Sequence, residues 1–177
     1  NGSLRTTVGY SYDALGNRSA IVHNGVRTTY LVDCTGLSNV IGSYDGTGKA
    51  LAFYVQGNGL LSQVDAEGSA DFYQFDGQGN TAALTDQDGK ILNTYSYLPF
   101  GEKLVIAGTT PNPFTFVGQS GVMDGGEGSY YMRNRYYEPN LGRFLQSDPS
   151  GLQGGTRTYT AMPRIILSLS RIPTAWC

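Results

Sequence analysis

Asp71-Phe72-Tyr73-Gln74-Phe75 runs straight into Asp76-Gly77-Gln78-Gly79 and, after Asn80, into Thr81-Ala82-Ala83-Leu84: a strand-length stretch, a turn and a second strand-length stretch. The outer pieces alternate apolar and polar side chains with a period of two, which sends successive residues to opposite faces of a strand. In the turn, Asp offers a side-chain acceptor to the backbone two residues on, and Gly supplies the positive φ that closes a hairpin. The same Asp, two free positions and Gly recur from Asp13 to Gly16, Asp33 to Gly36, Asp45 to Gly48, Asp65 to Gly68, Asp76 to Gly79, Asp86 to Gly89 and Asp148 to Gly151, seven copies in 177 residues. Turn chemistry at fixed offsets between aromatic and β-branched segments means one hairpin unit reused along the chain.

Further strand-length pieces are Tyr10-Ser11-Tyr12, Ile21-Val22-His23, Arg27 to Val32, Ala52-Phe53-Tyr54-Val55 and Ile91 to Tyr97, and no segment carries a long 3.6-residue period. His23-Asn24-Gly25-Val26 adds an Asn-Gly hairpin. The expected fold is all-β, an antiparallel hairpin meander with Tyr rings paired across strands and no helix longer than about three turns. The run Gly108-Thr109-Thr110-Pro111-Asn112-Pro113 breaks the pattern and divides the chain into hairpins over 1–106, a second region over 107–155 and an aberrant tail over 156–177.

Composition narrows the function classes. With 12 Lys+Arg against 14 Asp+Glu and a net charge of −2, the chain carries no field to hold nucleic acid or an anionic membrane. Its apolar runs fall short of the ~20 residues a spanning helix needs, and an opening at Asn1-Gly2-Ser3 without Met suggests an excised or processed piece. Cys34 and Cys177 are too few for a disulfide scaffold. His23, the one histidine, cannot build a metal site alone, and a Cys34/His23 nucleophile pair would need both on adjoining strands with a third group orienting the base. Asp86-Gln87-Asp88-Gly89 opens like a calcium loop, but its Gly comes too early and no bidentate Glu follows, so it reads as a turn. No cofactor or metal is expected.

From Pro99 onward the motifs become specific. Pro99-Phe100-Gly101-Glu102, Phe116-Val117-Gly118-Gln119, Tyr130-Tyr131-Met132-Arg133-Asn134-Arg135-Tyr136-Tyr137-Glu138-Pro139, Leu141-Gly142-Arg143-Phe144 and Asp148-Pro149-Ser150-Gly151-Leu152-Gln153-Gly154-Gly155 follow one another in order. Together with the upstream Tyr12-Asp13 and Tyr44-Asp45 units, they resemble the core-associated region and the YD repeats of Rhs/YD-repeat proteins over about residues 8 to 160. Departures are Glu138, where the family more often has Asp, and Cys34 in a turn. The resemblance implies a curled fragment of a hollow YD-repeat β-shell. In bacterial members the shell, secreted or at the cell surface, encapsulates or displays a C-terminal toxin. It also implies an aspartyl-protease-like site that cuts the chain just after the core region, two carboxylates sharing one proton with an Arg beside them. By position, Arg135 and Asp148 match the family's Arg and first Asp, whereas the motif bearing the second Asp is missing, so at most a remnant self-cleaving peptidase is expected. Asp148 also reads simply as a turn cap, like the other six copies.

The tail fits no family motif in its own frame. Read from the third base of each codon, however, Met162-Pro163 must yield Ala and Trp176-Cys177 must yield Val, and permitted codons spell the missing closing motifs across 161–167 and 170–177. A frameshift after about Gly155 would account for this. Three functions are thus expected in order: a structural shell piece partnered by its parent shell and toxin segment; a remnant aspartyl peptidase at Arg135 and Asp148; and a hydrolase or carbohydrate-binding module recovered from an environmental clone, though no Gly-x-Ser-x-Gly elbow supports conventional hydrolysis. A fragment of a shell leaves edge strands bare, so self-association through edges or the concave face is expected as well.

Overall fold

A computed structural model of the chain describes residues 6–36 and 38–147. Ten strands pair antiparallel in strict chain order: β1 (Val8–Tyr12), β2 (Arg18–His23), β3 (Val26–Val32), β4 (Val40–Asp45), β5 (Ala50–Gly57), β6 (Gly59–Asp65), β7 (Ala70–Phe75), β8 (Thr81–Thr85), β9 (Ile91–Tyr97) and β10 (Lys103–Ala107). A second sheet of four short strands follows, β11 (Met123–Gly126), β12 (Ser129–Met132), β13 (Arg135–Glu138) and β14 (Arg143–Phe144), after one 3-10 turn at Gly118–Ser120. Among the described residues the expected all-β antiparallel meander forms, and the one helical element is that 3-10 turn. Among the described residues no helix is long and apolar enough to cross a membrane.

Five Asp-x-x-Gly copies make the same hairpin. At Asp13, Asp45, Asp65, Asp76 and Asp86 the Asp N–H donates to the carbonyl four residues on, and the Gly N–H donates back to the Asp carbonyl at 3.0–3.2 Å. Gly48, for instance, sits at φ +88°, so the loop is a type I turn followed by a left-handed glycine, which shifts the register by one residue between Ser43 and Tyr44. The Asp33 copy differs. Thr35 N still donates to Asp33 Oδ1, but Asp33 N reaches Asn39 O, so this loop is two residues longer. Conversely, Leu98-Pro99-Phe100-Gly101 builds the common geometry without Asp, with Leu98 N donating to Glu102 O and Gly101 N to Leu98 O; Pro99 presets φ where Asp would have supplied a bond. Asn24 and Gly25, at φ 50° and 83°, close the two-residue hairpin between His23 and Val26. β4 and β6 escape the alternation because Gly42 interrupts one and irregular pairing near Leu60 the other.

The sheet curls. Flat, ten strands would span about 43 Å from first to last at ~4.8 Å per step. Yet adjacent residues of β11 touch both flanks: Tyr10 of β1 donates its hydroxyl to Gly125 O at 2.6 Å, and Lys103 Nζ of β10 meets Asp124 Oδ2 at 2.8 Å. Only a strongly curled, unclosed sheet brings both flanks to one hairpin. Inside the curl lies the core, where Val40, Tyr54, Leu60, Tyr73 and Leu84 from the large sheet pack against Phe114, Met123, Tyr131 and Tyr136 from the downstream chain.

Aromatic rings consequently pair differently from the simple meander expectation. In the large sheet only Tyr44 and Phe53 meet across neighbouring strands; Tyr10, Tyr12, Tyr54, Tyr73 and Tyr97 instead contact Tyr136, Tyr131, Phe114 or Phe116 of the enclosed segment. The segment enters past Gly108, at φ +99°, where a Cβ would fall 2.1 Å from both Asn93 Oδ1 and Leu92 O. Asn93, 2% exposed, then holds the passing backbone by donating Nδ2 to Thr110 O and accepting Thr110 N on Oδ1.

Candidate functional site

Arg135 begins β13 opposite Met132, and its guanidinium carbon lies 3.7 Å from the centre of the Phe144 ring. Leu145 N donates to Tyr136 O and Tyr136 N to Gln146 Oε1. The chain after β14 therefore runs back along β13 toward Arg135. Asp148 lies outside the described residues, as do the Asp148 to Gly151 copy and the 156–177 tail. Glu138, the departure from the family pattern, accepts both Asn140 N and Asn140 Nδ2 on Oε1 and thus caps its own turn.

His23 and Cys34 fall at opposite ends of β3, roughly 20 Å apart along a seven-residue strand at ~3.3 Å per residue. They form no nucleophile–base pair. His23 is exposed and borders a cleft of about 560 Å³ that is walled by Tyr30 of β3, Ile106 of β10 and Tyr130 of β12. The Lys103–Asp124 ion pair lies in this wall. Asp124 is engaged through every polar atom: its N–H donates to Pro113 O, its carbonyl accepts Arg18 Nη2, Oδ1 accepts Gly126 N, and Oδ2 accepts Lys103 Nζ. It is a clasp between the flanks of the large sheet.

Beside the clasp sits a tyrosine chamber around Arg18, which is 1% exposed. Its guanidinium carbon stands 4.6 Å from the Tyr131 ring centre and 5.5 Å from that of Tyr30, and Tyr12 and Tyr136 share a hydroxyl–hydroxyl bond of 3.0 Å. Burial pushes the Tyr10 and Tyr131 hydroxyls up to about 12, with Arg18 partly opposing it; the Tyr136 hydroxyl is driven up further for the same reason. These phenols stay protonated near neutrality and serve as hydrogen-bond donors rather than acids.

Sequence reasoning passed over Arg18, Lys103 and Asp124. A signal for Arg18 was present: five residues after each turn Asp the hairpins carry Arg18, Ala50, Ala70, Thr81 and Ile91, so one copy puts a cation where the others have small or apolar residues. For Asp124 there was none, because its importance comes from contacts 106 and 21 residues away.

Comparison with known proteins places this geometry. No family profile matches the chain. The tRNA3(Ser)-specific nuclease WapA of Bacillus spizizenii is 33% identical over 144 residues, covering 79% of this chain and 6% of the nuclease. The double-stranded DNA deaminase toxin A of Burkholderia cenocepacia is 29% identical over 184 residues, covering 87% of this chain and 13% of the toxin. Among solved structures, the Photorhabdus luminescens Tc holotoxin pore superposes with a TM-score of 0.63 at 20% identity, over 85% of this chain and 8% of that one. The chain belongs to the Rhs/YD-repeat family. As a member it spans only a small fraction of the relatives it matches, 6% and 13% of the two named here. In this Rhs/YD-repeat chain the YD units supply the wall, and the downstream motifs supply Phe116, Tyr131 and Tyr136, whose rings pack against its inner face.

Proposed function

We propose that the chain is a section of a YD-repeat shell, which in its parent protein encloses or displays a C-terminal toxin or effector and is secreted or held at the cell surface. The observation that carries this reading is a ten-stranded sheet curled around the chain that follows it. A wall built this way has an inside and an outside, and its own downstream sequence occupies the inside. Relatives named for two unrelated activities, a tRNA nuclease and a DNA deaminase, share this stretch, which supports a common structural role rather than either chemistry. The end of the large sheet at Ala107 supports a division into hairpins over 1–106, a core region over 107–155 and the tail over 156–177. Among the described residues β1 and β10 pair on one side only, the latter with Leu104, Val105 and Ile106 each more than half exposed, which supports self-association or continuation into further shell strands.

A second reading is a remnant self-cleaving aspartyl site at Arg135 and Asp148, favoured by the return of the chain along β13 toward Arg135. One experiment addresses both. In the full-length parent, the segment beyond the core region should resist protease until the shell is denatured; with the second Asp missing the chain should not cut itself, whereas restoring the frame so that this Asp returns should switch cleavage on and Asp148→Asn in that version should leave it intact. A downstream segment digested as fast in the parent as alone would refute the shell, and unaltered cleavage in the variant would refute the peptidase.

A further inference from the structure

β10 pairs with β9 and, among the described residues, with nothing on its other side. Its own chain does not continue the sheet, because past Ala107 the backbone turns in at Gly108 to become the enclosed segment. Lys103, the one charge on the strand, is drawn to Asp124 and does not blunt the edge. The bulge after Lys103 puts Lys103 and Ile106 on one face, opposite Tyr97 and Tyr95, and both line the 560 Å³ cleft. No residue of β9 does so, whereas Ile21 of β2 and Tyr30 of β3 line it from the opposite flank. The cleft therefore opens on the unpaired side of β10. A strand added there would set alternate side chains beside Lys103 and Ile106, in the cleft.

Charge narrows the occupant. The lining includes Glu102 and Glu127, both exposed, and among the described residues neither has a cationic partner, since Lys103 is taken by Asp124. An occupant with an apolar face and a basic side chain is complementary. The chain carries one. Between Pro163 and Pro173 it reads Arg-Ile-Ile-Leu-Ser-Leu-Ser-Arg-Ile, so that Ile165, Leu167, Leu169 and Arg171 share one side of an extended segment. Over 156–177 the only charged side chains are Arg157, Arg164 and Arg171. An apolar, β-prone window of this kind left in water pairs with whatever edge it meets. The stretch from Ser147 to Arg164 can extend to roughly 56–61 Å at ~3.3–3.6 Å per residue, more than the flat width of the wall.

We propose that residues 164–171 of the chain's own tail add to the free edge of β10 as a further strand, with Ile165, Leu167 and Leu169 against Ile21, Tyr30 and Ile106 and with Arg171 beside Glu102 and Glu127. Backbone pairing and apolar burial hold the strand, and the exposed charges set its register. This contact is independent of any cargo of the parent shell. The assay is limited trypsin digestion of the whole chain, combined with hydrogen exchange. Because cleavage follows the open population, Arg164 and Arg171 should be cut at least about tenfold more slowly than Arg157. Leu167→Asp, a change outside the wall, should bring both to the Arg157 rate and speed amide exchange over 104–107. Glu102→Gln combined with Glu127→Gln should speed cleavage at Arg171 by roughly two- to tenfold, as expected for exposed pairs, with circular dichroism unchanged. Protection should not vary with protein concentration. Protection that grows with concentration would make the occupant a second copy and overturn the proposal. So would equal cutting at the three arginines, exchange over 104–107 that ignores Leu167→Asp, or a double Gln variant cut at Arg171 no faster than the unchanged chain.

Discussion

The repeated turn offers a matched pair of substitutions, Asp76→Ala and Asp86→Ala. In both turns Oδ1 of the Asp accepts two backbone N–H groups, from Gln78 and Asn80 at 2.8 and 2.9 Å and from Asp88 and Lys90 at 3.0 and 2.9 Å. Exposed bonds of this kind contribute about 0.5–1 kcal/mol each, so either change should cost about 1–2 kcal/mol. Asp76 does more. Its Oδ2 accepts Asn80 Nδ2 at 2.8 Å, and Asn80, only 3% exposed, passes the constraint on by accepting Val117 N from the enclosed segment at 2.9 Å. Removing the carboxylate leaves Asn80 Nδ2 with only a 3.4 Å contact to Gln78 Oε1, a further cost of about 1–3 kcal/mol for a buried donor that has lost its good acceptor. Asp76→Ala should therefore melt about 2–12 °C below Asp86→Ala at ~2–4 °C per kcal/mol. In urea, with a slope of ~2 kcal/mol per molar, its midpoint should lie about 1 M lower. Burial pushes the Asp76 carboxyl up, but bonds from Asn80 and Gln78 outweigh it and hold the group below its usual range. Its contribution is thus present above about pH 4 and lost as pH falls through the lowered value, so the gap between Asp76→Ala and the unchanged chain should close in acid. Midpoints for the two variants within about 0.5 kcal/mol of each other at neutral pH would refute the relay through Asn80, since the surface bonds alone predict equality.

Two further outcomes follow from the enclosed segment. Tyr10, Tyr54 and Tyr131, pushed up to about 12 chiefly by burial, favour the folded state fully below the unfolded value of about 10 and lose that contribution as pH rises through 12; phenolate absorbance should appear in two stages, exposed rings first and the buried ones together with loss of β-sheet circular dichroism, and a single titration near pH 10 in a still-folded chain would contradict their burial. Asn93→Ala removes bonds to Thr110 N, Thr110 O and Tyr95 from a buried position and should cost about 2–4 kcal/mol, with new protease cuts appearing first within 108–113; cuts confined to the hairpin tips would argue that Asn93 does not tether that crossing.

The strand meander was legible in the chain because turns are local. Asp76 and Gly79 act within five residues, and the alternation in Asp71 to Phe75 needs no distant partner, so sequence alone determined the all-β class, most hairpin tips and, through the ordered motifs from Pro99 to Phe144, the family. The Pro99 turn shows the limit of that reading even locally, since Leu98 to Gly101 makes the repeated hairpin with no Asp to announce it. What only the tertiary structure decided is how the wall closes on its contents. That β1 and β10 reach adjacent residues of β11, Gly125 and Asp124 respectively, depends on strand twist and coiling accumulated over ten strands. Arg18 likewise becomes a buried, partly unpaired cation only because Tyr131, 113 residues further on, folds over it. Short-range stereochemistry writes hairpins into sequence; the enclosure depends on summed twist and on contacts between residues a hundred positions apart, which no local pattern encodes.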